Sequence, residues 1–369
     1  NAELIKALFL NSSNFRATNQ DEMRRRQIEI ATEWDQIENA FQNDKFWYFL
    51  CNKPVCDNRI EFICDLMNNS NVCDPYSTFR FFSTKLVGKN ESDMKAAWEE
   101  IQGYYQRFTE WYHNRELYHK IGFLLTVGIV DIKELYYHSS TQKKSCFVAY
   151  IDDLIKKYYK NLLDLNYENK ETRSVLLLYN ILTMLQNEHD ASYFPFNNYK
   201  LDKWDIEHIA SRKDARSVPT PNRKNWLDDA RCSIDQDQSD GPDLIRRIDE
   251  MLSSASYEQD VFFTALYDDI TAHFNRYMRP DEDMDELSNL ALLDEKTNRG
   301  YKNAVFPVKR KYIIERDKSG GFVPICTKNT FLKYFSDYPP KISFWTQDDR
   351  EKYEQDLIRV LSPYMEVNE

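Results

Sequence analysis

Two short segments, roughly eighty residues apart, hold the residue types that hydrolysis of a phosphate ester needs. The first is Trp204-Asp205-Ile206-Glu207-His208-Ile209; the second runs from Asn289 through Leu290, Leu292 and Leu293 to Asn298. Phosphodiester hydrolysis takes a water made nucleophilic near neutral pH, which neutral imidazole can do as a base, and a hard cation to stabilise charge on the phosphate and the leaving oxygen. His208 is the candidate base. Glu207 and Asn298 supply oxygen ligands of the kind Mg²⁺ or Mn²⁺ accepts, with Asp205 a further ligand or an acceptor behind them. Asn289 is suited to holding the imidazole, or the backbone beside it, in place. A ligand set poor in nitrogen and without sulfur argues against structural zinc.

Positioning these groups requires particular elements. Adjacent side chains on a strand point to opposite faces, so Glu207 and His208 meet one ion only if the strand ends there in a turn. The two asparagines lie nine positions apart, the first opening a strand-like apolar run and the second preceding a charged, helix-prone stretch. That order predicts strand, strand, helix: residues 204–209 and 289–293 pair antiparallel, a helix starts near Glu295, and His208, Glu207 and Asn298 converge on one accessible cleft.

This pattern resembles HNH nuclease domains of the ββα-metal type, which carry an Asp-His-Ile-like first segment and then Asn-Leu-x-x-Leu with a final ligand nine residues after the first Asn. Glu207 stands where Asp is more usual. The segment from Asp205 to Ile209, with Asn298-Arg299-Gly300, is also similar to the HNH domain of CRISPR effector nucleases. The narrower resemblance rests on Phe194-Pro195-Phe196, Trp204 to Ile209, Leu287-Ser288-Asn289-Leu290, Asn298, Asn303, Phe306 and Lys309-Arg310. These resemble the C-terminal portion of GmrSD-type, modification-dependent restriction endonucleases. Asp294 and Thr297 replace the cysteines of members with a zinc knuckle, so no knuckle is expected, and Ala210-Ser211 replaces a His or Pro followed by Gln. The resemblance implies DNA as substrate, a role in anti-phage restriction, and a partner in the family's ParB-like, nucleotide-using N-terminal domain or subunit, whose Asp-Gly-Gln-Gln-Arg motif this sequence lacks.

Composition bounds the rest. A chain of 369 residues predicts two domains, and 8 glycines, 12 prolines and 42% hydrophobic residues favour a mainly α, compact protein. The 7 cysteines are an odd number without CxxC spacing, which argues against a disulfide framework or a zinc ribbon and makes a reducing cytoplasm the expected compartment. The longest apolar run, residues 121–130, is about half of what a membrane span requires, so no membrane partner is expected. A net charge of −11 speaks against an all-round nucleic-acid surface. A local one is possible: residues 299–318 carry Arg299, Lys302, Lys309, Arg310, Lys311, Arg316 and Lys318 against Glu315 and Asp317. Lys309, Arg310 and Arg299 are the candidate phosphate contacts.

Residues 1–190 read as a helical domain. Ile30, Trp34, Ile37 and Phe41 recur at helical spacing, as do Met94, Trp98, Ile101, Tyr105, Phe108 and Tyr112, and residues 175–185 are apolar enough for a buried central helix. Residues 187–203 read as a linker. Residues 191–369 then form the nuclease domain, with helical insertions at 243–252 and 259–278, a loop at 236–242, a helix opened by Pro307 and ended by Gly320-Gly321, and a closing helix at 347–364. His113, His119, His138 and His189 are expected to be structural, and His273 to pair with Asp268 or Asp269. The whole predicts a metal-dependent HNH endonuclease. The alternatives are a catalytically silent DNA-binding or regulatory module and a nuclease directed at RNA, since such a site attacks phosphate and reads neither base nor sugar.

Overall fold

The structure is a computed structural model and describes residues 1–11, 20–52, 58–68, 74–159, 161–187, 189, 191–211, 218–279, 283–297 and 304–367. The chain is mainly helical, and its described strands form one two-stranded sheet. Among the described residues no helix is long and apolar enough to cross a membrane. The chain divides into two units, one of Asn1–Ile155 with Tyr193–Lys200 and the other of Lys156–Ser192 with Leu201–Glu369. This division departs from a boundary at 190.

The first unit is built on aromatic helix faces. Helix α1 (Gln20–Gln42) buries Ile30, Trp34, Ile37 and Phe41, the stripe expected from spacing. Helix α2 (Glu91–His113) buries Met94, Trp98, Ile101 and Phe108 but turns Tyr104 and Trp111 inward instead of Tyr105 and Tyr112. Tyr105 and Tyr112 lie on the same broad face and are half-buried rather than buried. Phe194 and Phe196, placed by sequence in a linker, are buried in this unit. Phe196 lies over Gly122 of helix α3 (Arg115–Val127), where an added Cβ would stand 2.2 Å from the ring, so the close approach requires glycine. His119 sits in the core with Nδ1 2.7 Å from the Arg115 carbonyl and Nε2 accepting from the Phe194 amide at 3.1 Å, a structural role as expected.

In the second unit, helix α4 (Thr172–Gln186) is buried on nearly every side because other elements surround it. Its Asn180 Oδ1 accepts from the Cys326 amide at 2.8 Å, and its Tyr179 hydroxyl donates to Asp356 at 2.5 Å. These contacts draw residues 156–192 into this unit. Strand β1 (Trp204–His208) pairs antiparallel with β2 (Leu290–Asp294), matching Trp204 to Asp294 and His208 to Leu290. Pairing continues beyond both ends: the Ile209 amide donates to Asn289 O and the Glu295 amide to Lys203 O, each at 2.8 Å. Residues 295–297 are helical, so the described order is strand, strand, start of helix.

A two-stranded sheet leaves open edges that a buried setting must satisfy. On β2 this falls to side chains: Thr327 donates to Leu292 O at 2.6 Å and Tyr353 to Leu290 O at 2.9 Å. Between the strands, helices α5 (Thr220–Ser233), α6 (Gly241–Ser254) and α7 (Asp260–Phe274) form the insertion. Sequence periodicity shows α6 and α7 but not α5, whose buried face is only Arg223, Trp226, Leu227 and Ala230. After β2 come α8 (Phe306–Lys318), α9 (Ile325–Phe331) and α10 (Gln347–Leu361). Pro307 lies in the first turn of α8, and Gly320 at φ 78 follows its end, a left-handed position suited to glycine.

Candidate functional site

The strand pair separates the two residues that sequence places side by side. Asp205 and Glu207 share one face of β1, and His208 points to the other. Glu207 is buried, and Lys309 of α8 brings its ammonium 2.7 Å from Oε1. At that distance the two form a buried ion pair. The Glu207 carboxyl is pushed above the ordinary range, first by burial and further by the charge of Asp205, with Lys309 opposing both.

Lys309 also donates to the carbonyl of His208 at 2.5 Å. Its side chain is only 1% exposed. The expectation that Lys309 contacts phosphate is therefore corrected: it faces the strands. One helical face explains this, because Arg316, seven residues and about two turns further on, places Nε 3.1 Å from Asp294 Oδ2 at the far end of the pair. Thus α8 directs Lys309 at an acid of β1 and Arg316 at an acid of β2. Arg310, on another face of α8, is half-buried, and it makes no hydrogen bond or ion pair among the described residues. Burial holds its guanidinium below the usual range. Arg299 and Asn298 lie outside the described residues, as do Lys302 and Asn303 of the same stretch.

His208 meets a different set of groups. Its Nε2 lies 2.8 Å from Asp285 Oδ1, and its ring lies 4.5 Å from that of Tyr167, centre to centre. The imidazole side chain is 14% exposed, so water can reach it. Asn289 is fully buried and holds the chain just past His208: its Oδ1 accepts from the Ala210 amide at 2.8 Å, and its Nδ2 donates to Ala210 O at 3.3 Å and Met284 O at 2.9 Å. Asn289 therefore acts on the neighbouring backbone rather than on the ring. Ser211 continues the anchoring, donating to Ala304 O at 2.6 Å.

Sequence reading missed Asp285 and Tyr167. Asp285 stands in the acidic run 281–286, whose evident signal was charge alone, and Tyr167 lies in the part assigned to the N-terminal domain. His273 pairs with Asp240 at 2.8 Å, not with Asp268 or Asp269, and Arg276 joins the same carboxylate. The buried His273 of α7 thus belongs to a partly exposed cluster with Asp240 and Arg276, separate from His208.

Among the described residues no three or more His, Cys, Asp or Glu side chains are grouped to hold a metal. The expectation that Glu207, Asp205 and His208 serve one ion is corrected: Glu207 is buried against the Lys309 ammonium on the face of β1 opposite His208, so its carboxylate already has a cationic partner. The chain was compared with family models, with curated proteins and with solved structures, and none of them matches it.

Proposed function

We propose that the second unit is an HNH-type nuclease that hydrolyses DNA phosphodiester bonds, with His208 as the general base. The observation that supports this best is the register of β1 on β2, which sets His208 opposite Leu290 at the strand end and brings the Asn289 side chain to Ala210, two residues further on. That is the order and pairing a ββα site needs, and the imidazole is partly open to water. His208 takes a proton from the attacking water. Asn289 fixes the turn through Ala210, and Lys309 fixes the strand end through the His208 carbonyl. A Mg²⁺ or Mn²⁺ would supply charge stabilisation at the phosphate, and of the expected ligands Asn298 is proposed to hold it, because Glu207 and Asp205 lie on the face of β1 opposite His208. Arg310 and Arg299 are the proposed phosphate contacts. In this reading the protein acts in restriction of modified phage DNA, with a nucleotide-using domain or subunit as its partner and the cytoplasm as its compartment.

The test is nicking of supercoiled plasmid with Mg²⁺ or Mn²⁺ by the wild type and by His208→Ala. Removing a general base lowers the rate by about 10²–10⁴-fold, so the variant should leave the plasmid intact. Equal nicking by both proteins, or none by the wild type, overturns the reading.

A further inference from the structure

The loop before β2 contains a residue whose geometry bears on the chemistry of His208. We infer that Asp285 is a positioning residue, which fixes the orientation and the tautomer of the His208 ring; the inference rests on His208 being the base. A carboxylate can only accept, so the 2.8 Å contact requires Nε2 to carry the proton. In the neutral ring Nδ1 is then the basic nitrogen, the atom that receives the proton from water.

An ordinary surface His–Asp pair would have little consequence, but the backbone around Asp285 is tied at several points. Its carbonyl accepts from the Tyr167 amide at 2.8 Å, and its amide donates to Asp283 Oδ1 at 2.9 Å. Arg350 of α10, itself buried, donates to Asp283 O at 2.6 Å, to Glu286 Oε2 at 2.7 Å and to Ser288 Oγ at 2.9 Å. Asn289 takes Met284 O. Residues 283, 284, 286 and 288 are thus each held by a side chain, and 285 is held through its backbone. Residue 166 also bridges to 286, which brings Tyr167 over the imidazole. The ring has a hydrogen-bond partner at Nε2 and an aromatic neighbour 4.5 Å away, both fixed by elements distant in sequence. Such restraint is what a base needs to meet its water in one geometry.

The test reads tautomer and turnover separately, in the full chain labelled with ¹⁵N-histidine. Spectra of the neutral ring should show Nε2 protonated in the wild type and a mixture of tautomers in Asp285→Asn, an almost isosteric change. In plasmid nicking, Asp285→Asn should lose about a hundredfold in kcat with KM unchanged, while Asp285→Glu recovers part of the rate. Thermal melting of both variants confirms that they are folded. A mixed tautomer in the wild type, or a fixed one in Asp285→Asn, overturns the inference, as does a variant that nicks at the wild-type rate. Because the spectra do not depend on cleavage, a wild type that fails to nick removes the nuclease reading and leaves the Asp285 pairing to be decided by tautomer alone.

Discussion

Replacing Lys309 with methionine separates the two roles open to a lysine beside the β1–β2 pair, a buried counter-charge and a phosphate contact. Its side chain is 1% exposed and that of Glu207 is 6% exposed, with 2.7 Å between ammonium and carboxylate. Methionine keeps the apolar stem but leaves Glu207 buried without its counter-charge and the His208 carbonyl without its donor. Breaking a buried pair from one side costs about 3–5 kcal/mol. For a unit of roughly 200 residues each kcal/mol shifts the midpoint by about 2–4 °C, so melting should fall by about 6–20 °C. Urea denaturation gives the free energy, and a double-mutant cycle with Glu207→Gln isolates the pair, since the double variant should be more stable than the two single losses summed. The pH dependence has a defined sign. Burial already raises the Glu207 carboxyl, and without Lys309 it rises further; a folded value above the unfolded one of about 4.3 means that stability lost at neutral pH is regained as pH falls toward that range. A loss under about 1 kcal/mol, the size seen for exposed pairs, would refute the assignment and return Lys309 to the solvent-facing, phosphate-binding group.

Asn289→Ala removes one acceptor and two donor contacts at Ala210 and Met284 inside the core and should cost about 2–4 kcal/mol in urea denaturation, with Asn289→Asp losing less because the acceptor for the Ala210 amide survives. His273 gives a second pH effect of opposite direction. Burial, with Arg276 adding to it, holds its imidazole below the ordinary value against the pull of Asp240, so its contribution to stability is complete above about 6.5 and is lost as pH falls from there toward the folded value. His273→Gln should flatten the fall in unfolding free energy between pH 7 and pH 5, and an unchanged slope would show that other groups govern it.

The strand pair, its order and the helical start at 295 were legible because local signals agreed: two apolar runs of strand length, an asparagine before one and a carboxylate–histidine pair closing the other. The stripe in α1 was legible for the same reason. What sequence could not give was direction. Seven cations in a stretch of twenty residues look like one basic surface, but helical phase sends Lys309 and Arg316 inward to Glu207 and Asp294 and leaves Arg310 on a different face. Domain membership was hidden likewise, because the apolar run in α4 reports burial and does not say in which unit. Asp285 depends on a loop whose position is set by Arg350, a residue more than sixty positions away, and no local periodicity carries that information.

The holds on His208 come from separate parts of the chain and act on different atoms. Lys309 of α8 takes its carbonyl, Asn289 just before β2 takes both backbone polar groups of Ala210, two residues on, and Asp285 takes Nε2. A buried asparagine and a buried lysine are costly to accommodate when stability is the only demand, since apolar residues of similar volume fill such space without polar groups to satisfy. Their cost is easier to understand if the position of one imidazole matters to a fraction of an ångström, which is the requirement of a general base and not of a module that only binds. On this view the ion pair of Glu207 with Lys309 and the contact of Asp285 with His208 do complementary things on opposite faces of one strand. The first anchors the backbone beneath the histidine, and the second sets the ring above it, so that changes at either residue should be felt in the placement of the same nitrogen.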